Sequence, residues 1–241
     1  MEVLLFVTGL TVAFVGTLAG SGGLIGMPMM LLLGIPVHTS IATAKFSNII
    51  SSLSSFVYLL KDRKITMKEC LPIVPLAVAG GLAGAFLSDK IDPEVLEWMA
   101  FFFLLGALLL SVLKRNKTEK SAEDHKLPFG KLFLISSYDG LFGPGQATLL
   151  MYTYIRHGFS YLKTVALTRF QTFISCLGAF FMYLINGHVD WMTAVPFALG
   201  ALIGAQLSVR LASKISIKQA GILLNIITLI LIIQVGFRLF L

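Results

Sequence analysis

Two cations, Lys45 and Arg169, lie inside runs of apolar residues, and one displacement of 124 positions makes them counterparts. That displacement sets "AKFSNIISSLSS" (44–55) over "TRFQTFISCLGA" (168–179), matching Phe46 with Phe170, Ile50 with Ile174, Ser51 with Ser175 and Leu53 with Leu177. A cation in hydrocarbon costs at least about 2.5 kcal/mol on insertion scales, so two at equivalent positions require acidic partners or a watery chamber. Asp139 is the one acid near the glycine clusters of the same blocks, and a single carboxylate cannot neutralise both cations at once. At least one of them is therefore expected to face a solute, and a buried positive charge selects an anion.

The glycine clusters supply the second half of that chemistry. "GSGG" at residues 20–23 and "GPG" at residues 143–145 interrupt the first apolar block of each copy. Clustered helix breakers at overlapping positions predict two shorter helices joined by unwound backbone, which is tolerated at membrane depth only where it is buried in protein or lines a cavity. The chain is predicted to resume as helix at about Leu24 and Thr148. A helix start offers free N–H groups and about half a unit of positive charge, and glycine lets backbone approach a ligand closely. The expected substrate-binding residues are Lys45, Arg169, Gly22, Gly23, Gly145 and Gln146, with Ser21, Asn48, Ser51, Gln171 and Ser175 as hydrogen-bond donors. Ser47, Thr148 and Thr172 lie around the same elements. Asp139 is the candidate coupling residue, either carrying a proton or pairing with a cation.

No catalytic residue, metal ligand set or cofactor is expected. There is no H-E-x-x-H, no G-x-S-x-G and no Walker lysine after the glycines. His38, His125, His157 and His188 are dispersed at block ends or loops, and Cys70 and Cys176, both in apolar segments, are expected to be free thiols. An intramembrane enzyme and a scaffold whose glycines serve packing alone stand as the alternatives to a transporter.

The elements that must hold these residues are membrane helices. Of 241 residues, 56% are hydrophobic and 13% charged, and the mean hydropathy is +0.87. Apolar blocks run at about 3–35, 39–60, 69–87, 95–113, 129–155, 160–185, 191–211 and 219–241, near the length that a bilayer core demands. The start, "MEVLLFVTGL", lacks a basic n-region and a cleavage site, so the first block is expected to be kept as structure. The polar stretch at residues 114–126 divides the chain into an N-terminal repeat, 1–120, and a C-terminal repeat, 121–241, within one membrane domain. The pairs Gly80-x-x-x-Gly84 and Gly200-x-x-x-Gly204 fit close helix packing.

Basic residues set the topology. If all eight blocks crossed once, the cations after blocks two and seven would fall on opposite faces. If instead each broken first block enters and returns to the same face, with the N-terminus outside, the inner face collects 15 Lys and Arg residues against Lys90 and Arg238 outside. The positive-inside rule thus selects an all-α polytopic membrane protein of two inverted-topology repeats, each with a broken first helical element. The net charge of +7 reads as loop orientation, with no nucleic-acid partner.

"GTLAGSGGLIGMPMMLLLGIP" (16–36), the matching "GLFGPGQATLLMYTYIRHG" (140–158) and the duplicated architecture resemble the TauE/SafE sulfite-exporter family over essentially the whole chain. The resemblance implies a multi-pass transporter in the cell's inner membrane that moves small sulfur-containing anions such as sulfite, thiosulfate or an organosulfonate. Alternating access around an anion site near the midplane is the expected mechanism. The expected partners are a small anionic substrate and membrane lipid, with room for a homodimer.

Overall fold

The computed structural model describes residues 1–19, 22–96, 98–99, 102 and 127–211. The junction between the two repeats and the last apolar block lie outside the described residues. The first half of the chain holds α1 (Glu2–Ala19), α2 (Gly22–Leu32), α3 (Val37–Lys61) and α4 (Met67–Ser88, with one 3-10 turn at Leu71–Ile73). The second holds α5 (Phe129–Leu141), α6 (Gln146–Arg156), α7 (Tyr161–Ile185) and α8 (Trp191–Leu211). A shift of 124 carries both ends of α2 onto those of α6 and both ends of α3 onto those of α7. In the second half the first block is broken between α5, ending at Leu141, and α6, starting at Gln146; in the first half residues 20 and 21, between α1 and α2, lie outside the described residues. The helices after the glycine clusters begin two residues earlier than expected, at Gly22 and Gln146, and at α6 the left-handed Gly145 (φ 82°) turns the chain directly before the helix.

Among the described residues, α4, α7 and α8 are long and apolar enough to cross a membrane. Helix α3 has the length but buries Ser40, Ser47, Ser51, Ser52 and Ser55 beside Lys45, so its polar face turns inward and lowers its hydropathy. Large apolar side chains such as Leu134, Phe181, Met192 and Leu199 point outward instead. This is the arrangement lipid imposes, with polar groups satisfied inside the protein.

Contacts along the helices give their directions. Phe46 meets Phe180 (ring centroids 5.3 Å) and Phe56 meets Phe170 (4.9 Å), so α3 and α7 cross antiparallel. The two aromatic pairs exchange under the 124 shift. Helix α4 runs parallel to α7, joined at one end by Glu69 with Lys163 and at the other by Asp89 with His188 (2.8 Å). That second hydrogen bond holds the half-exposed Asp89 carboxyl below its ordinary range. Helix α8 runs parallel to α3, through Trp191 on Phe46 (5.4 Å) and Gln206 on Ser54.

The first helix of each half packs on the last described helix of the other. In α1 the carbonyls of Phe6 and Leu10 abut Gly200 and Gly204 of α8, and Ser208 donates to the Phe14 carbonyl (2.8 Å). In α5 the carbonyls of Phe133 and Ser137 abut Gly80 and Gly84 of α4. A methyl group at any of these glycines would strike backbone, so both glycine pairs serve close packing. Helices α1, α3 and α8 therefore point one way, and α4, α5 and α7 the other. Since α1 is parallel to α3, the chain doubles back along α2; it does the same along α6.

Candidate functional site

Lys45 and Arg169 each occupy the ninth position of a 25-residue helix and reach across to the other repeat. The Lys45 ammonium donates to the Asp139 carboxylate (Nζ to Oδ1, 2.8 Å) and to the Asp139 main-chain carbonyl. The Arg169 guanidinium donates to the Gly16 carbonyl (3.0 Å). Asp139 lies in the last turn of α5 and Gly16 in the last turn of α1. The last carbonyls of a helix carry the negative end of its dipole, so each cation lies where that end favours it, Lys45 at the close of α5 and Arg169 in the last described turn of α1. Sequence reasoning associated the cations with the helix starts. The structure places them at the helix ends as well, a role invisible until the chain is folded.

The two cations differ in their neutralisation. Asp139 and Lys45 are each 1% exposed and form an ion pair, and the second Asp139 oxygen accepts from Ser175 and from the Cys176 thiol (3.4 Å). Arg169 is 8% exposed, and among the described residues no carboxylate pairs with it. Its hydrogen bond to Gly16 engages one of the five N–H donors that a guanidinium carries.

Both cations line one cavity of about 50 Å³, room for a solute of a few heavy atoms. Its polar wall includes Asn48, Ser47, Ser51, Thr172 and the turn from Gly143 to Gln146; Val12, Met27, Ile41, Phe142 and Phe197 form the apolar wall. Gln146, 3% exposed, accepts from the Thr172 hydroxyl (3.2 Å), while among the described residues its amide nitrogen has no partner. A buried donor without an acceptor is costly, and here it opens on a polar cavity.

Of the expected residues, the cavity thus brings together Lys45, Arg169, Asn48, Ser51, Gly145 and Gln146. Gly22 and Gly23 open α2, and Ser21 lies outside the described residues. Ser175 serves Asp139 instead. Gln171 is not in the lining. It joins a separate buried network, accepting from the Tyr154 hydroxyl (2.6 Å) and donating to the Leu132 carbonyl (3.0 Å) and Ser136 (2.9 Å). That network ties α5, α6 and α7 together, and nothing in the spacing of Ser136 or Tyr154 pointed to it. Gly143 was read only as a helix breaker, yet its α-carbon leaves the space that the Lys45 ammonium fills. Cys70 and Cys176 are free and buried. Among the described residues no group of three or more His, Cys, Asp or Glu side chains could hold a metal.

Comparison with known proteins gives the family. A family model described as "Sulfite exporter TauE/SafE" matches residues 5–238. A "Probable membrane transporter protein ORF9" of a Sinorhizobium species is 33% identical over 95% of this chain and 90% of its own length. A "Probable membrane transporter protein" of Haemophilus influenzae is 28% identical over 86% of this chain and 84% of its own length. The "Probable membrane transporter protein YfcA" of Escherichia coli K12 is 23% identical over 86% and 79% respectively. No solved structure matches the chain. A match that spans nearly every residue, on a chain built of apolar helices around a buried polar centre, identifies a multi-pass cell-membrane transporter that belongs to the TauE/SafE sulfite-exporter family.

Proposed function

We propose that the chain moves small sulfur-containing anions such as sulfite, thiosulfate or an organosulfonate across the inner membrane, by alternating access between two inverted repeats, 1–120 and 121–241. The observation that carries this reading is Arg169, a buried cation without a carboxylate partner among the described residues, lining a cavity beside the unpartnered Gln146 amide and the start of α6. An anion supplies what each of these groups lacks. Gly145 brings backbone to the wall without a side chain, as close approach to oxyanion oxygens requires.

Helix directions support the inversion. The first repeat runs up, up and down in α1, α3 and α4, and the second runs down, down and up in α5, α7 and α8, the pattern that distinguishes inverted from parallel repeats. It coincides with the orientation chosen by charge, which puts Glu69 and Lys163 on the inner face and Asp89 and His188 on the outer. Such a pairing of like elements lets one repeat rock against the other about a site at their junction. Export of a monovalent anion from a negative interior is downhill by about 2.3 kcal/mol per 100 mV and needs no coupled ion.

The test is counterflow of labelled sulfite in proteoliposomes. Wild-type protein accumulates label and Arg169→Gln loses most of it, by tenfold or more (about 1.4 kcal/mol of binding), while eluting as a folded protein. Equal counterflow by folded Arg169→Gln removes the site.

A further inference from the structure

Among the described residues, two cations and one carboxylate leave the cavity region with a single net positive charge, and the geometry divides it unequally. Lys45 is committed to Asp139, whose Oδ1 accepts from Lys45 and whose Oδ2 accepts from Ser175 and Cys176. Arg169 donates to the neutral Gly16 carbonyl and has no carboxylate partner among the described residues. We infer that the cavity is a monoanion site, and that a dianion is admitted only when Asp139 takes up a proton and frees the charge of Lys45. This deepens the anion reading above and rests on it.

The argument is one of compensation in a low dielectric. A monoanion beside Arg169 brings the cavity to neutrality with the Lys45–Asp139 pair intact. A dianion in the same place leaves one uncompensated negative charge near the Asp139 carboxylate, which the buried surroundings cannot screen. Protonating Asp139 removes that charge without moving a helix. The proton enters with the dianion on one face and leaves with it on the other, so the substrate's own valence decides whether the cycle carries a proton.

The groups around Asp139 permit this assignment. From α3 it is faced by Lys45 and from α7 by Ser175, Cys176 and Tyr183, whose hydroxyl donates to the Gly140 carbonyl (3.2 Å). Gly143 leaves room beside its Oδ1, Gly81 and Gly84 of α4 abut the neighbouring Gly140 and Ser137, and on its own helix Tyr138 donates to the Pro144 carbonyl (2.6 Å). Asp139 is the one carboxyl group in this set.

The experiment compares two probes of fixed valence, methanesulfonate as monoanion and thiosulfate as dianion, in proteoliposomes of the wild-type protein with a pH-sensitive dye inside. Methanesulfonate uptake should be flat from mildly acidic to mildly alkaline pH and move no proton. Thiosulfate uptake should fall by up to about tenfold per pH unit on the alkaline side and move one proton per anion. Asp139→Asn should make thiosulfate uptake independent of pH and reverse the preference to the dianion. Should that variant not fold, the wild-type proton count decides alone. Thiosulfate moving without a proton, or a folded Asp139→Asn that keeps the wild-type preference and pH profile, overturns the inference. If neither probe moves in wild-type vesicles, or Arg169→Gln moves both normally, it is the anion site itself that falls.

Discussion

At the scale of the residue, the centre is organised by what a cation can reach. Lys45 and Arg169 were legible from their apolar surroundings and their shared place in a repeat, because charge in hydrocarbon needs a reason. Their partners were only half legible. Asp139 announces itself as the one nearby acid, but the Gly16 carbonyl carries no mark in the sequence, since every residue has one. The division of labour between the cations, one paired and one not, followed from folding. Gly143 shows how tightly the pair is fitted: with φ at 102°, an added methyl would lie 2.5 Å from the Lys45 ammonium and 3.1 Å from Asp139 Oδ1. Gly143→Ala should therefore cost about 1–2 kcal/mol from backbone conformation alone and also reduce anion uptake by displacing Lys45. Gly34→Ala, at φ 79° with nothing within 4 Å of the new methyl, should show the conformational loss and keep full uptake. Unfolding in detergent paired with uptake assays separates the two effects, and equal uptake by both variants would refute the fitted role of Gly143.

At the scale of the element, glycine does two different jobs that sequence spacing alone separated well. The clusters at the breaks end helices, and the spaced pairs at 80 and 84 and at 200 and 204 let backbones touch. The register of contact was not legible, because no local signal says which helix a small residue will meet. Gly204 faces the Leu10 carbonyl directly, whereas Gly130 at the start of α5 has nothing within 4 Å. Gly204→Ala should force α1 and α8 apart and destabilise the protein by about 1–3 kcal/mol, and Gly130→Ala should be neutral or slightly stabilising. Thermal unfolding in detergent measures both, and a neutral Gly204→Ala would show that α1 and α8 are less closely seated. The starts of α2 and α6 were also beyond the sequence: both lie two residues before the expected ones, and at α6 the left-handed Gly145 completes the turn directly before the helix.

At the scale of the whole molecule, matched letters pointed to a duplicated chain, and the bounds of α2 with α6 and of α3 with α7 follow the same displacement of 124; the membrane orientation chosen from lysine and arginine belongs to the proposal. The remaining relation, which helix of one half packs on which of the other, depends on surfaces that pattern does not encode. Asp62 and Asn186 end the two 25-residue helices as counterparts, both exposed. In the inverted arrangement Asp62→Cys should react with a membrane-impermeant maleimide only from inside and Asn186→Cys only from outside. Eight simple crossings would put both on one face, so labelling from the same side refutes the inversion. The native cysteines, both buried, give a quiet background. The seating of α1 on α8 bears equally on how the protein is made. Phe6 and Leu10 meet residues 200 and 204, so at a synthesis rate of about 5–20 residues per second the opening segment waits roughly ten to forty seconds in the bilayer for the surface that completes it. Through that interval the face of α1 that α8 covers has no partner, and a chain stopped before residue 200 would leave that face uncovered.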